Sequence, residues 1–296
     1  MIISYFLGFI SYEFVYKKKK EIYKNELLDY LLSNFISYSP DLEDFILFYL
    51  FYDTPRGFYI DVGAHDPNLY SVTKAFYQRK WKGINIDPLP NKYLLFQKFR
   101  TRDINLQLGA GNKEGNTTLK LKNDQSSIIF DKNENNSQYI NISIKTLSNI
   151  CKMYVPKNIK IDFCKIDVER AEKLVLLGYD FQNYRPKIFC IESLFNNQTN
   201  TSEYEDWENI LLNNDYKLGF KYRRNRFYYD KRIIGLKDKF NLIDFYTNKY
   251  KYKRFIRYAI WIYKLIIFIK DIKKRKNFNY HFYKKFIKLN IILTLC

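Results

Sequence analysis

The chain is poor in the residues that punctuate or staple a fold. Its 296 residues include only 10 glycines, 7 prolines, 4 cysteines and 2 histidines. So little glycine and proline excludes collagen-like and proline-rich linker architectures. Cys151, Cys164, Cys190 and Cys296 show no C-x-x-C spacing, which argues against a zinc framework. Two of them sit in apolar runs, FCK and IFCIE, where a thiol behaves as a small hydrophobe, so a reducing compartment is expected rather than a disulfide scaffold. No G-x-G-x-x-G loop is present, which removes the phosphate cradle of a nicotinamide-dependent oxidoreductase. Long apolar runs are missing as well. The first 16 residues are mostly apolar, but Glu13 interrupts them and four lysines follow. A spanning helix wants about 20 apolar residues, and a secretory leader carries its positive charge before the apolar run. A buried or membrane-surface helix is the expectation there.

What is abundant is aromatic and basic. Hydrophobic residues make up 47% and aromatics 19%, enough to bury a sizeable core. The net charge of +19 is unevenly spread: residues 231–296 hold 18 basic and 3 acidic residues, against 32 and 28 in residues 1–230. Three regions follow from this: a helical N-terminal extension over 1–55, a main domain over 56–230 and a basic aromatic helical tail over 231–296. The tail segment RFIRYAIWIYKLIIFIKDIKKRK mixes aliphatic and cationic residues, as interfacial helices do. Peripheral contact with an anionic membrane through 251–276, from a cytoplasmic position at its inner face, is therefore expected. Basic residues among Tyr and Phe also suit stacking on single-stranded nucleic acid. A protein that binds or modifies nucleic acid is thus the second reading, disfavoured by the aliphatic runs YAIWIY and LIIFI and by the lack of an NPPY-type motif.

In the main domain, short apolar runs alternate with helical stretches. GFYIDVGA, GINIDPLP, INLQLGAG, DFCKIDVE and KIFCIES read as strands; SVTKAFYQRK, NKYLLFQKFR, RAEKLVLLGY and EYEDWENILLNN read as helices. The polar segments TTLKLKN and YINISIKTL have strand character, and KLGFKY with NRFYYD reads as a closing hairpin. Such alternation predicts an α/β domain with a mostly parallel sheet and helices on both faces, edged by antiparallel strands.

Ligands of open parallel sheets bind at the carboxyl ends of the strands. Asp61, Asp87 and Asp167 each close a strand. The Asp61-Val62-Gly63-Ala64 turn is tight, and Gly63 would let backbone approach a ligand. A carboxylate beside that turn repels phosphate but suits a cationic, phosphate-free nucleoside such as S-adenosylmethionine. Asp87, 26 residues further on, is placed to accept both ribose hydroxyls.

These stretches, GFYIDVGAHDPNLYSVTKAFYQRKWKGINIDPLPNKY, DINLQLGAGNKEG, DFCKIDVERAE and the RNRFYY hairpin, together resemble the FkbM family of S-adenosylmethionine-dependent methyltransferases over residues 56–230. The resemblance implies a class I methyltransferase (Rossmann-like) fold. It also implies methyl transfer, commonly to a hydroxyl of a saccharide, glycolipid or natural-product acceptor. Cofactor binding then maps onto Asp61, Val62, Gly63, Ala64, Asp87 and Gly109, with His65 at the usual Asn position. The family's acidic block maps onto Lys165, Asp167, Glu169 and Glu172, with Arg170 in place of the usual Gly. Asn225 and Arg226 match the closing motif without a chemical role.

An alcohol is a weak nucleophile near neutral pH, so a base or a metal ion is needed. Asp167 and Glu169, two apart at a strand end, point to one side if the strand persists. Asp167 is expected to act as base or acceptor-orienting group, with Glu169 assisting or merely capping the next helix. His65 is a candidate base or a hydrogen-bond partner of the cofactor. Lys165 either lines the pocket or pairs with a carboxylate. Glu192 is a further strand-end carboxylate near the acceptor. With Asp167 and Glu169 it makes three carboxylates that could share a divalent cation, but no histidine-rich set supports one and no metal is expected.

Overall fold

The computed structural model describes residue 26 and residues 28–122, 125–128, 138–193, 195–196 and 201–250. Most of the N-terminal run and the tail from residue 251, including the expected membrane segment 251–276, lie outside the described residues. The chain divides into two compact units. In the smaller, residues 28–33 and 245–250 are helical. Phe35 meets Tyr250 edge to face, the Tyr250 hydroxyl donates to the Phe35 carbonyl at 2.6 Å, and Lys249 pairs with Asp29 at 2.6 Å.

The larger unit begins at Ser37 and runs to Asp244. It opens with α1 (Glu43–Leu50), all eight of whose residues are buried. The compact unit that holds the main sheet therefore includes residues before position 56. The first half continues through β1 (Phe58–Val62), α2 (Lys74–Gln78), β2 (Lys82–Ile86), α3 (Pro90–Phe99) and β3 (Ile104–Leu106). Then come β4 (Gly109–Gly111), β5 (Gly115–Lys122), β6 (Gln125–Ile128), β7 (Gln138–Thr146) and α4 (Leu147–Tyr154). The second half holds β8 (Phe163–Ile166), α5 (Glu172–Leu177), β9 (Ile188–Glu192), the short pair β10 (Phe195–Asn196) and β11 (Thr201–Ser202), α6 (Glu208–Asn213), β12 (Tyr216–Tyr222) and β13 (Asn225–Asp230). EYEDWENILLNN is not one helix: Glu203–Asp206 form a single 3₁₀ turn before α6.

The main sheet has the order β12-β13-β9-β8-β1-β2-β3. β9, β8, β1, β2 and β3 are parallel, and β13 and β12 close one edge as an antiparallel hairpin. This is a largely parallel mixed α/β sheet of the kind the resemblance implies. Every residue of β1, β8 and β9 is buried, because helices cover both faces. Side chains alternate between the faces along each strand. Ile60, Val62, Ile84, Ile86, Cys164, Ile166, Phe189 and Ile191 form one apolar face and join a core with Leu147, Val175 and Trp207. Full burial of such a side chain contributes roughly 1.5–3 kcal/mol. On the opposite face Phe51, Phe76, Trp81 and Phe163 pack ring against ring. Nearer the strands' carboxyl ends that second face turns polar: the row in register reads Asn85, Asp61, Lys165, Cys190.

INLQLGAG, read as one strand, is two. Its first half is β3 of the main sheet; its second half is β4, which joins β7, β5 and β6 in a separate four-stranded sheet. Gly109 fits there because a Cβ would fall 2.5 Å from Ile144 on β7. The described cysteines Cys151, Cys164 and Cys190 are free and buried, as expected of small hydrophobes. Among the described residues no helix is long and apolar enough to cross a membrane.

Candidate active site

Strand order reverses between β1 and β8: β2 and β3 extend the sheet one way, β9 and the hairpin the other. Outside the carboxyl ends at this switch point lies a cleft of about 350 Å³. Clefts for small organic ligands run from roughly 300 to 1,000 Å³. Backbone hydrogen bonds tie its rim together. The amides of Gly63 and Ala64 donate to the Ile86 carbonyl, and the amide of Asp167 donates to the Val62 carbonyl.

One end of the cleft is made by the ends of β1 and β2 and by the small sheet. Val62, Gly63, His65, Ile86, Asp87, Pro88, Leu89, Gly109 and Ile142 contribute to its lining. The Asp87 carboxylate accepts from the backbone amides of His65 and Leu89, each at 2.9 Å. Burial raises its pKa to about 6 despite those bonds. His65 lines the cleft with φ 57° and reaches Asp87 through its backbone. Gly63 has φ 75°, and a Cβ there would fall 1.8 Å from the Asp167 carbonyl oxygen. Glycine is thus demanded at this turn by the neighbouring strand end, and not by ligand approach alone.

Asp61 and Ala64 do not line the cleft. Asp61 is 1% exposed; it accepts from the Thr73 hydroxyl at 3.1 Å and lies 3.5 Å from Lys165. The side chain expected to touch the cofactor is buried behind the lining of the cleft, facing Thr73 and Lys165. Ala64 is likewise buried under the turn.

The other end carries three carboxylates. Asp167, Glu169 and Glu192 line the cleft and each places one oxygen within 4.8 Å of the others. That spacing allows a shared proton or a shared cation, and resident cations already lie against the group. Lys165, buried in the polar row, reaches Asp167 at 3.3 Å and donates to the Gly63 carbonyl at 2.8 Å. Arg224, in the β12–β13 turn, pairs with Glu192 at 2.9 Å. Burial opposes the charged form of Lys165, but Asp167 and Asp61 hold its pKa above the usual value. Burial also works against ionised Asp167; Lys165, a hydrogen bond with Glu192 and Arg224 outweigh it, and its pKa falls. Glu192 takes the opposite course: burial first, then the Asp167 charge, push it up to about 9. The two shifts run in opposite directions, so a proton shared by the pair is drawn towards Glu192 and Asp167 is the more acidic partner.

Glu169 and Arg170 both adopt left-handed backbone, with φ 52° and 80°. The residue that opens α5 is Ala171, which has no polar side chain to cap the helix with. Glu172 reaches back and accepts from the Val168 amide at 2.9 Å, fixing the loop that carries Glu169. Asn225 donates to Glu43 at 2.9 Å, and Arg226 stacks over Tyr204 and donates to Glu208 and the Tyr228 hydroxyl. Both hold the hairpin in place. Asp41 and Arg224, which the sequence did not single out, belong to this end: Arg223 and Arg224 both pair with Asp41, at 2.7 and 3.2 Å.

Residues 61–218, more than half of the chain, match the family model described as a methyltransferase FkbM domain. No curated protein and no solved structure matches the chain. The matched span covers the β1 turn, Asp87, the Lys165–Glu172 block and Glu192, all of which meet around one cleft. On this evidence the chain belongs to the FkbM methyltransferase family.

Proposed function

We propose that the protein transfers a methyl group from S-adenosylmethionine to a hydroxyl oxygen of a saccharide, glycolipid or related acceptor. The observation that carries this reading is the pair of unlike ends in one cleft: a single buried carboxyl group held by backbone amides at one, and clustered carboxyl groups with Lys165 and Arg224 against them at the other.

The residues present fit the cofactor. Asp87 is held by two backbone amides with its remaining lone pairs open to the cleft, as needed to accept two ribose hydroxyls. Ile86, Leu89, Leu108 and Ile142 offer apolar walls for a base. No row of backbone donors calls for phosphate, and the clustered carboxylates favour a cation. When bound, S-adenosylmethionine supplies a methyl group already activated by a positive sulfur.

The chain's own contribution is placement and proton removal. Asp167, kept ionised by Lys165, accepts the proton of the acceptor hydroxyl as its oxygen bonds to carbon and the carbon–sulfur electron pair stays with sulfur. Glu192, protonated, does not compete for that proton and hydrogen-bonds the anion. Glu169 beside them is placed to orient a second acceptor hydroxyl. His65 stays at the cofactor end as a backbone donor to Asp87 rather than as the base. The basic segment 251–276 is assigned to contact with anionic lipid at the inner membrane face, bringing a glycolipid acceptor to the cleft.

Isothermal titration with S-adenosylmethionine tests the first half. The wild type should bind, and Asp87→Ala should bind about 10- to 100-fold more weakly, the worth of charge-assisted bonds. Equal binding by both would overturn the assignment. Flotation of the full chain with anionic vesicles tests the tail.

A further inference from the structure

The carboxylate end of the cleft is not finished within the family-matched span. Arg224 lies beyond residue 218 and Asp41 lies before residue 61, yet the two meet beside Glu192. Arg224 donates through Nε to Asp41 at 3.2 Å and through Nη1 to Glu192 at 2.9 Å. One guanidinium thus serves two carboxylates. Asp41 is 5% exposed, whereas the Arg224 side chain is half-exposed and lines the cleft. The bridge is pinned from both sides. The Asp41 amide donates to Glu43 at 3.0 Å, Glu43 accepts from Asn225 at 2.9 Å, and the Ser193 amide donates to the Arg224 carbonyl at 2.7 Å.

We propose that Asp41 is a positioning residue for methyl transfer: acting through Arg224, it fixes Glu192 against Asp167 and decides which of the two carboxyls carries their shared proton. The inference rests on Asp167 being the base. The charged groups around Glu192 are Asp167 and Glu169 after β8 and Arg224 in the hairpin turn, with Lys165 behind Asp167; Asp41, ahead of α1, and Glu43, its first residue, lie against Arg224 and Asn225. Within this set Asp41 draws part of the guanidinium's field away from Glu192. Less of it reaches Glu192, which therefore stays protonated and leaves Asp167 as the sole anion of the pair. Burial and the Asp167 charge act in the same direction.

This makes two substitutions act with opposite signs. Removing the Asp41 charge gives Arg224 wholly to Glu192 and favours its ionised form. Removing the Arg224 charge does the reverse. A role confined to holding the fold together gives no such opposition.

The test uses the full chain with carboxyl-carbon-13-labelled glutamate, read by nuclear magnetic resonance across pH, with Glu192→Gln to assign the signal. No acceptor is required. The Glu192 midpoint should fall by about one pH unit in Asp41→Asn and rise by a similar amount in Arg224→Gln. Asp41→Glu and Arg224→Lys, which keep the charges, should stay near the wild type. Midpoints that move the same way in the two charge-removing variants, or that do not move, overturn the proposal. If Asp41→Asn fails to fold, the comparison of Arg224→Gln with Arg224→Lys decides. Titration with S-adenosylmethionine runs alongside: a wild type that fails to bind sinks the cofactor assignment, whereas the carboxyl midpoints alone decide this one.

Discussion

The two ends of the cleft solve one problem, a carboxylate kept in a buried place, by different means. At the cofactor end Asp87 stands alone and is held by backbone: two amides from turns that follow β1 and β2. At the other end Asp167 and Glu192 are held by side chains, Lys165 on one side and Arg224 on the other, and the charge of each bears on the ionisation of its neighbour. Backbone donors come with the turn and are hard to lose by substitution. Side-chain partners can be exchanged one at a time. The difference teaches that the first end is built for a fixed ligand and the second for tuning.

The largest effect is expected at the tuned end. Asp167→Asn should lower kcat by about 10²- to 10⁴-fold, the usual worth of a positioned base. Its affinity for S-adenosylmethionine in isothermal titration should change little. A comparable loss of cofactor binding would erase the distinction between the ends.

Next comes the point where the two ends touch. Gly63→Ala puts a Cβ against the Asp167 carbonyl oxygen at 1.8 Å in a backbone with φ 75°. Strain of this kind costs about 1–3 kcal/mol before the collision is counted. Denaturant unfolding should show a loss of at least that size, and cofactor and acceptor sites should fail together.

The backbone-held end should answer to pH. Asp87 has a folded-state pKa of about 6, above its ordinary value, so its carboxylate is present above that pH and is lost as pH falls through it. Affinity for S-adenosylmethionine should be flat above pH 7 and weaken below 6, approaching about tenfold per pH unit. Asp87→Asn should be weak and flat over the same window. A wild-type profile that strengthens on acidification would contradict the role.

The smallest effect sharpens the account of the loop after β8. Arg170 holds φ 80°, which costs an L-residue roughly 1–2 kcal/mol. Arg170→Gly relieves that strain but loosens the unfolded chain by about 0.4–1 kcal/mol. The net expectation is stabilisation of up to about 1 kcal/mol, visible as a modest rise in Tm.

The same contrast explains what was legible in the sequence. That Gly63, His65 and Asp87 would gather at one cleft could be read because they are local: they follow two strands at a fixed spacing. The sheet could be read for the same reason, from apolar runs alternating with helices. The surroundings of Asp61 were less legible, because a strand-end carboxylate looks alike in sequence whether it lines a cleft or faces a lysine; its place beside Lys165 comes from strand register. Lys165 was read with the ion pair as one of two options, and the pair is what the fold holds. Asp41 and Glu43 were hidden inside a helical, apolar stretch with no motif, and they meet Arg224 and Asn225 only after the chain has folded. Glu172, taken as part of an acidic block, turned out to bond the backbone of its own loop.

The bond between Arg224 and Asp41 joins positions 183 residues apart. Synthesis runs from the N-terminus, so the segment that receives the hairpin is made long before the hairpin itself. The nascent polypeptide can therefore build the β1–β2 end of the cleft before the hairpin exists, whereas the wall that Arg224 contributes closes only once the hairpin has been made and has found Asp41.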